Sequence, residues 1–180
     1  YELLHDIVVE DDVTAYVKYA NGATGVFVTT TGDAHGTNRL EIQLDRARIV
    51  VENGKISLLV YEMTEQAFSK TNTEPFATVA ASKVEVETDG ENPQHGGVIN
   101  AGGGAILRGE PLVADGSEGI NGLTLSNAMH LSSWLGHEVK LPLDEALFYG
   151  ELMKRVAGSK KKANVKEAVA DTAATYGGNG

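Results

Sequence analysis

The chain contains no cysteine, and this absence excludes disulfide bonds, thiolate nucleophiles and zinc sites built on cysteine. Long hydrophobic runs are also absent: no stretch of about 18 apolar residues occurs, and no transmembrane helix is predicted. The opening residues have neither the basic nor the apolar segment of a signal peptide. The simplest expectation from these absences is a cytoplasmic protein without a membrane partner.

Positive charge is scarce, with 15 basic residues against 25 acidic ones and a net charge of −10. This balance disfavours nonspecific binding to the phosphate backbone of nucleic acids. The single run of lysines, residues 160–162, is typical of a solvated helix end. We therefore expect no nucleic-acid partner.

Motifs of metal and hydrolytic sites are lacking as well. The five histidines show neither His-x-His nor His-Glu-x-x-His spacing, and no Gly-x-Ser-x-Gly turn occurs, so neither a metal site nor a serine hydrolase is indicated. The glycines at 102–104 lack the preceding strand and the third glycine of a dinucleotide-binding loop. They are predicted to lie inside a helix, where each costs about 1 kcal/mol relative to alanine.

Alternation dominates the first half of the chain. From residue 12 to about residue 88, apolar and polar residues alternate with a period close to two, which is typical of strands with one buried face. Asn21-Gly22 and Asn53-Gly54 interrupt this alternation, and an Asn-Gly pair between alternating runs indicates a tight hairpin. The pattern predicts about six strands, largely antiparallel.

The first hairpin also suggests how the chain assembles. The alternation predicts one strand face with aromatic and polar residues opposite a face of mainly apolar residues. An exposed, partly aromatic sheet face commonly marks a subunit interface. A homodimer or homotetramer formed through the sheet face is therefore expected. The two predicted faces are Tyr16, Lys18, Phe27 and Thr29 on one side and Val17, Tyr19, Val26 and Val28 on the other.

The second half changes to a helical period. Helices are predicted over residues 94–108, 115–136 and 143–156, with a short strand or extended piece at residues 138–141. For the second helix, Asp115 and Glu118 fit a capping box, and Gly136 fits the left-handed residue that follows a helix. Apolar residues on two sides of this helix predict that it is buried between layers.

Strands followed by helices predict the fold class α+β. The expected architecture is an open, mostly antiparallel sheet of about six or more strands, with helices packed on one face and the other face available for subunit contact. One domain is predicted over residues 1–158, followed by a polar, alanine-rich C-terminal arm at residues 159–180. Because the chain starts at Tyr1 and strand-like residues follow at once, a domain of a longer polypeptide is expected.

Two histidines are candidates for ligand contact. His35 lies in a polar connection, residues 32–38, that is longer than a hairpin requires, and such loops often carry function. His95 stands at a predicted helix start, where side chains and free N–H groups point out of the fold together. The alternative for each is a surface turn or a helix cap. His130 and His137 are expected to be structural.

Five segments of the chain carry a family resemblance. They are EDDVTAYVKYANGATGVFVTTTGDAHGTNRLEI at residues 10–42, VVENGKI, GENPQH, AILRGEPLVADGSEGINGLTLSNAMHLSSWLG and EVKLPLD. Together they resemble the C-terminal domain of the Gfo/Idh/MocA family of NAD(P)-dependent oxidoreductases, which includes glucose-fructose oxidoreductase and inositol dehydrogenase. The resemblance covers nearly all of residues 5–176, in the family's order.

This resemblance implies a parent enzyme with an N-terminal Rossmann domain, absent from this chain, that binds NAD or NADP. The family's glycine-rich cofactor loop, its Glu-Lys-Pro lysine and its catalytic Asp and His all precede the region to which this chain corresponds. The resemblance therefore implies no catalytic, cofactor-binding or metal-binding residue here, and the chain alone would not catalyse oxidation. The domain would line a pocket for a sugar, polyol or related hydroxy compound and form dimers or tetramers.

By the same resemblance, the segment from Gly32 to Arg39 faces the substrate. His35, Asn38 and Arg39 are the candidate contacts to substrate hydroxyls or carboxylates, and His95 is a candidate at the pocket edge. The chain departs from its relatives at the three glycines 102–104 and at Gly150 and Gly158, which occupy predicted helical positions.

Two other functions are compatible with the same residues. The chain could be a freestanding ligand-binding or assembly module that uses the fold without redox chemistry. It could also be a purely structural interaction domain, which would self-associate without binding a small ligand.

Overall fold

A computed structural model of the chain describes residues 10–91 and 93–160. Two compact units are distinguished, Tyr1–Val113 and Ala114–Gly180. The strand-like residues 7–9 lie outside the described part, as does all but the beginning of the predicted arm at 159–180.

The described residues of the first unit form six strands, which confirms the number and the approximate positions expected from the alternation. A short helix between the fifth and sixth strands was not predicted. The strands are β1 (Asp12–Lys18), β2 (Thr24–Thr30), β3 (Arg39–Gln43), β4 (Ala47–Glu52), β5 (Lys55–Tyr61) and β6 (Ala81–Glu85).

Both predicted hairpins are confirmed. In the turn between β4 and β5, Asn53 and Gly54 have φ values of 53° and 68°, and Glu52 pairs directly with Lys55. This is the left-handed backbone that a two-residue Asn-Gly turn requires. The turn between β1 and β2 has one residue more, because the Tyr19 N–H donates to the Ala23 carbonyl at 2.8 Å.

The extra turn residue corrects the predicted faces of the first hairpin. Tyr16 pairs with Val26, and Ala15 pairs with Phe27. Since directly paired residues share a face, Tyr16 lies with Val26 and not with Phe27. The prediction was wrong because it fits a two-residue turn, and one added residue shifts the register by one and exchanges the faces.

The fold class is α+β with open antiparallel sheet, as expected, but the six strands form two sheets. β1 and β2 form a two-stranded sheet, and β3, β4, β5 and β6 form a four-stranded sheet in that order. Every pairing is antiparallel between strands consecutive in sequence. The eight-residue connection at 31–38 leaves β2 and β3 without a ladder, which divides the expected single sheet.

The register of the four strands sets one apolar face and one mainly polar face, which also carries Val50, Leu59, Tyr61 and Ala81. The apolar face is only partly covered, since Leu40 is 55% exposed and Ile42 is 40% exposed. Its apolar residues are Leu40, Ile42, Ile49, Val51, Ile56, Leu58, Val60 and Val84. The polar residues of the opposite face are Arg39, Glu41, Gln43, Arg48, Glu52, Lys55, Ser57, Lys83 and Glu85.

Two helices belong to the first unit. α1 (Glu65–Thr71) is capped by Thr64, whose side chain accepts from the Ala67 N–H at 3.1 Å. α2 (Gln94–Arg108) has the predicted bounds and includes the three glycines, which confirms their helical placement. It ends at Gly109, which has a φ of 69° and closes the helix in the left-handed conformation.

The second unit contains α3 (Gly119–Leu135) and α4 (Glu145–Gly158), preceded by a 3₁₀ turn at Gly116–Glu118. The predicted helix at 115–136 thus begins as a 3₁₀ turn, with Asp115 accepting from the Ser117 N–H at 2.8 Å. Gly136 follows α3 with a φ of 71°, as expected. The extended piece at 138–141 forms no strand.

α3 is buried over a shorter part of its length than predicted. Leu131 is 1% exposed, whereas Ile120 is 60% exposed. Trp134 stacks on Phe148 of α4 with a centroid separation of 5.6 Å. The prediction of a helix buried along its length is therefore wrong for the first half of α3, and its packed part is the C-terminal half that contacts α4.

Candidate functional site

A cleft of about 420 Å³ lies between the end of β2, the connection at 31–38 and the start of β3. All of its lining belongs to the first unit. The residues that line it are Val26, Val28, Thr29, Thr30, Asp33, Gly36, Thr37, Arg39 and Glu41.

The lining of this cleft is chemically divided. Val26 and Val28 provide apolar surface and are 69% and 62% exposed. The remaining side chains are polar: two carboxylates, one guanidinium and three threonine hydroxyls. A few polar groups beside an apolar surface are the usual composition of a small-molecule site.

Arg39 is the cleft residue that forms two ion pairs. Its Nη2–H donates to Glu41 Oε2 at 2.5 Å, and its Nη1–H donates to Glu52 Oε2 at 2.9 Å. Glu41 lies two residues along the same strand face, and Glu52 is the register partner of Arg39 on β4. The strand geometry alone thus brings the three side chains together.

The ion pairs change the titration of both partners. The hydrogen bond to Glu41 and the negative charge of Glu52 raise the pKa of Arg39 above its usual range. The hydrogen bond from Arg39 lowers the pKa of Glu41 below its usual range. At neutral pH, Glu41 is therefore an ionised acceptor and Arg39 a cationic donor.

The charge around the guanidinium favours neutral ligands. Arg39 is matched by Glu41 and Glu52, and Asp33 adds a further carboxylate to the cleft. An anionic ligand would meet this excess of negative charge. Arg39 also retains N–H groups beyond the two that donate to carboxylates, since guanidinium carries five. The arrangement suits hydroxyl groups better than a ligand carboxylate.

The connection at 31–38 is shaped by local hydrogen bonds. Thr30 Oγ1 accepts from the Gly32 N–H at 3.0 Å, directly after β2. His35 has a φ of 60°, in the left-handed region that non-glycine residues seldom adopt. Its side chain is exposed and does not line the cleft. Its role in ligand contact stays a prediction.

Asn38 lines a second, smaller cleft of about 270 Å³ beside the turn between β4 and β5. Glu52 also lines this second cleft, while its carboxylate accepts from Arg39 of the first. Leu40 and Val51 place this second cleft on the apolar face of the sheet, whereas Arg39 and Glu41 of the first cleft lie on the opposite face. The lining consists of Asn38, Leu40, Val51, Glu52, Asn53 and Gly54.

His95 lies in the first turn of α2, with its side chain exposed, and lines neither cleft. Of the four predicted contacts, Arg39 lines the first cleft and Asn38 the second, whereas His35 and His95 line neither, and the role of all four in ligand binding stays a prediction. Asp33, Thr37, Glu41 and Glu52 were not predicted. A signal for Glu41 was present in the sequence, because residues two apart on a strand share a face.

Two further findings bear on the site. Across residues 10–91 and 93–160, no three His, Asp or Glu side chains are grouped as a metal site would require. Over the same ranges, no helix has both the length and the hydropathy needed to cross a bilayer.

Comparison with known proteins adds no assignment: no protein-family model matches the chain, and no curated protein is similar enough to count as a relative.

Proposed function

We propose that the chain is the substrate-binding and oligomerising domain of an NAD(P)-dependent oxidoreductase that acts on a sugar, polyol or related hydroxy compound. The observation that supports this function best is the cleft beside Arg39, with valines on one side and carboxylate, guanidinium and hydroxyl groups on the other. The resemblance of the sequence to the Gfo/Idh/MocA C-terminal domain supports the redox part of the proposal.

Polyhydroxy compounds match this lining in two ways. Each hydroxyl both donates and accepts, so adjacent hydroxyls can pair with the ionised Glu41 or Asp33 and with the free N–H groups of Arg39. The C–H surface of a sugar or polyol is apolar and can pack on Val26 and Val28. A ligand with many hydroxyls and no charge uses both surfaces.

Hydride transfer would occur outside this chain. In the proposed enzyme, an N-terminal Rossmann domain of the same polypeptide holds NAD or NADP and carries the catalytic residues, and the enzyme is cytoplasmic. This chain then contributes substrate binding and no chemical step. The partly exposed apolar face of the four-stranded sheet, with Leu40 and Ile42, supports subunit contact in a dimer or tetramer.

The proposal is tested by ligand-observed NMR of the chain with inositol, sorbitol, glucose and gluconate. We expect saturation transfer to at least one neutral compound and weaker transfer to gluconate, because carboxylates outnumber the guanidinium in the cleft. Arg39→Ala and Glu41→Gln should each reduce affinity by about tenfold or more. Lys70→Ala is the control, since Lys70 is a cation of α1 that lines neither cleft.

A freestanding binding module without redox chemistry is the second candidate. It is favoured by the fact that the whole cleft is built from residues 26–41. Nicotinamide-dependent turnover of the bound compound by a longer polypeptide that includes the preceding residues would support the oxidoreductase. Ligand binding without any turnover would support the module, and absence of binding to any polyol would contradict both.

A further inference from the structure

The outer edge of β6 is a second candidate contact surface, and β6 contributes no residue to either cleft. β6 is the last strand of the four-stranded sheet, and it pairs with β5 on one side. On its other side, no strand is paired with it in the part of the chain that the structure describes. All five of its side chains are exposed.

The register shows which backbone groups of β6 point outward. The Glu62 N–H donates to the Ala80 carbonyl at 3.0 Å, in line with the β5–β6 ladder. In an antiparallel ladder, hydrogen-bonded residues alternate with residues whose backbone groups point away. Ser82 and Val84 therefore bond to β5, and the N–H and C=O groups of Lys83 and Glu85 face outward.

The two outward-facing residues carry opposite and unmatched charges. Lys83 and Glu85 lie two residues apart on the polar face, and neither side chain has an ion-pair or hydrogen-bond partner within residues 10–91 and 93–160. The equivalent outward-facing charges of β3 differ, because Arg39 is bonded to Glu41 and Glu52 in the same chain. The β6 edge therefore differs from the β3 edge in having charged side chains without partners among the described residues.

We propose that the β6 edge binds the β6 edge of a second copy of this chain, antiparallel, about a two-fold axis at Val84. In this register Lys83 faces Glu85 of the second copy, and Glu85 faces Lys83, so that two opposite-charge pairs form. The outward-facing groups of these residues exchange hydrogen bonds, and the two Val84 residues form the close non-hydrogen-bonded pair between them.

Neighbouring registers are disfavoured by the same charges. Moving the two-fold axis by one residue in either direction places Lys83 against Lys83 or Glu85 against Glu85, and like charges directly opposite each other destabilise a strand pair. Charged residues often protect sheet edges against association. Here the alternating signs are self-complementary, and they select one register instead of preventing pairing.

The proposed contact would extend the sheet to eight strands. A two-fold axis perpendicular to the sheet keeps each face on its own side, so the apolar faces of the two copies become continuous across the Val84 pair. The contact differs from association through the sheet face, and the two can be distinguished by mutation at the edge.

A cysteine cross-link tests the contact directly, because the chain has no cysteine of its own. In the proposed register, the Cα atoms of the Val84 pair lie about 4.5 Å apart, within the range that a disulfide bridges. Val84→Cys should therefore form a disulfide-linked dimer on mild oxidation. In Ser82→Cys, the control, the two introduced thiols are offset by four residues, roughly 13 Å along the strand, and should not cross-link.

Charge reversal gives a second, independent test. Lys83→Glu and Glu85→Lys should each raise the dimer dissociation constant by at least about tenfold in sedimentation equilibrium at low salt, because each places like charges opposite each other. The double variant Lys83→Glu/Glu85→Lys should restore dimerisation. Equal cross-linking of the Ser82→Cys and Val84→Cys variants, or a molecular mass unaffected by any of these charge changes, would overturn the proposal.

Discussion

Arg39 and Glu52 face each other across the β3–β4 register, and the Arg39 Nη1–H donates to Glu52 Oε2 at 2.9 Å. The same guanidinium is held by Glu41 through Nη2. Arg39 is therefore a cation whose charge is matched within the sheet before any ligand arrives. This relationship sets the charge preference of the cleft.

Removing the Glu52 carboxylate should change that preference. In Glu52→Gln, Arg39 loses one of its two carboxylate partners and is freer to pair with a negatively charged ligand. We expect the affinity for gluconate to rise several-fold relative to that for a neutral polyol of the same length, measured by NMR titration. Glu74→Gln, at an exposed position away from both clefts, is the control; an unchanged ratio in Glu52→Gln would contradict the charge argument.

Acid should destabilise the fold through carboxylates that accept hydrogen bonds. Hydrogen bonds from Arg39 lower the pKa of Glu41, and hydrogen bonds from Lys154 and then Arg155 lower that of Glu151, both from an ordinary value of 4.5. Below pH 4.5 the unfolded state binds protons that the folded state does not, so stability is retained above this pH and lost as the pH falls through the lowered values.

Urea unfolding from about pH 7 to about pH 3 measures this loss. The combined variant Glu41→Gln/Glu151→Gln should be less stable at neutral pH and show a shallower decline in acid, because two of the linked groups are gone. Glu74→Gln should keep the steep decline. An identical acid profile in the combined variant and in the unmutated chain would refute the linkage.

Leu131 should be the most sensitive apolar position of α3. It is 1% exposed, and its replacement by alanine leaves a cavity at the packed half of the helix. We expect Leu131→Ala to lower the free energy of unfolding by about 2–5 kcal/mol. Ile120→Ala, on the same helix at 60% exposure, should cost less than about 1 kcal/mol. Similar losses for the two variants in denaturant titrations would show that the burial difference is not present in solution.

Replacing Gly103 and replacing Gly136 with alanine should change the free energy of unfolding in opposite directions. A Cβ on Gly103, inside α2, meets no atom within 4 Å, whereas Gly136 has a φ of 71°. Gly103→Ala should stabilise the chain by about 1 kcal/mol through helix propensity. Gly136→Ala should destabilise it by about 1 kcal/mol, because a side chain disfavours the left-handed conformation. Thermal denaturation of both variants compares them, and a stabilising Gly136→Ala would contradict the C-cap assignment.

Gly104 should behave differently from its neighbour. A Cβ there would meet the Glu110 carboxylate and the Arg108 guanidinium, which form an ion pair beside the helix end. Gly104→Ala must displace these flexible side chains, so its gain should be smaller than that of Gly103→Ala. Thermal unfolding, followed by circular dichroism in the far ultraviolet, compares the stabilities of the two variants. A larger increase in stability for Gly104→Ala than for Gly103→Ala would show that the Arg108–Glu110 ion pair does not lie against Gly104.

Local patterns predicted much of the secondary structure. The period of two located all six strands, because the alternation of side chains across a strand is a property of the strand itself. The bounds of α2 and the left-handed Gly136 were also predicted, because the helical period and the preference for glycine after a helix are likewise local properties of the sequence. α1 escaped prediction: it spans only Glu65–Thr71, too short to show a helical period. Its start is held by Thr64 and by the Asp45 carbonyl, which accepts from the Glu65 N–H at 2.9 Å.

The candidate site was predicted in part. The loop that ends at Arg39 was identified, because a polar connection longer than a hairpin needs is visible in sequence. Glu52 was not identified, since it is 13 residues from Arg39 and their contact depends on the β3–β4 register. Asp33 and Thr37 were inside the predicted loop, yet which of its side chains line a cleft depends on how the loop folds over β2 and β3.

The sequence by itself determined where the six strands and the three longer helices form and that the strands pair antiparallel, because these depend on residues close together in the chain. Only the tertiary structure decided which residues meet. One extra residue in the first turn, closed between Tyr19 and Ala23, exchanged the faces of the hairpin. The register of β3 on β4 placed Glu52 beside Arg39. Register is a relation between distant segments, and a shift of one residue reverses every face.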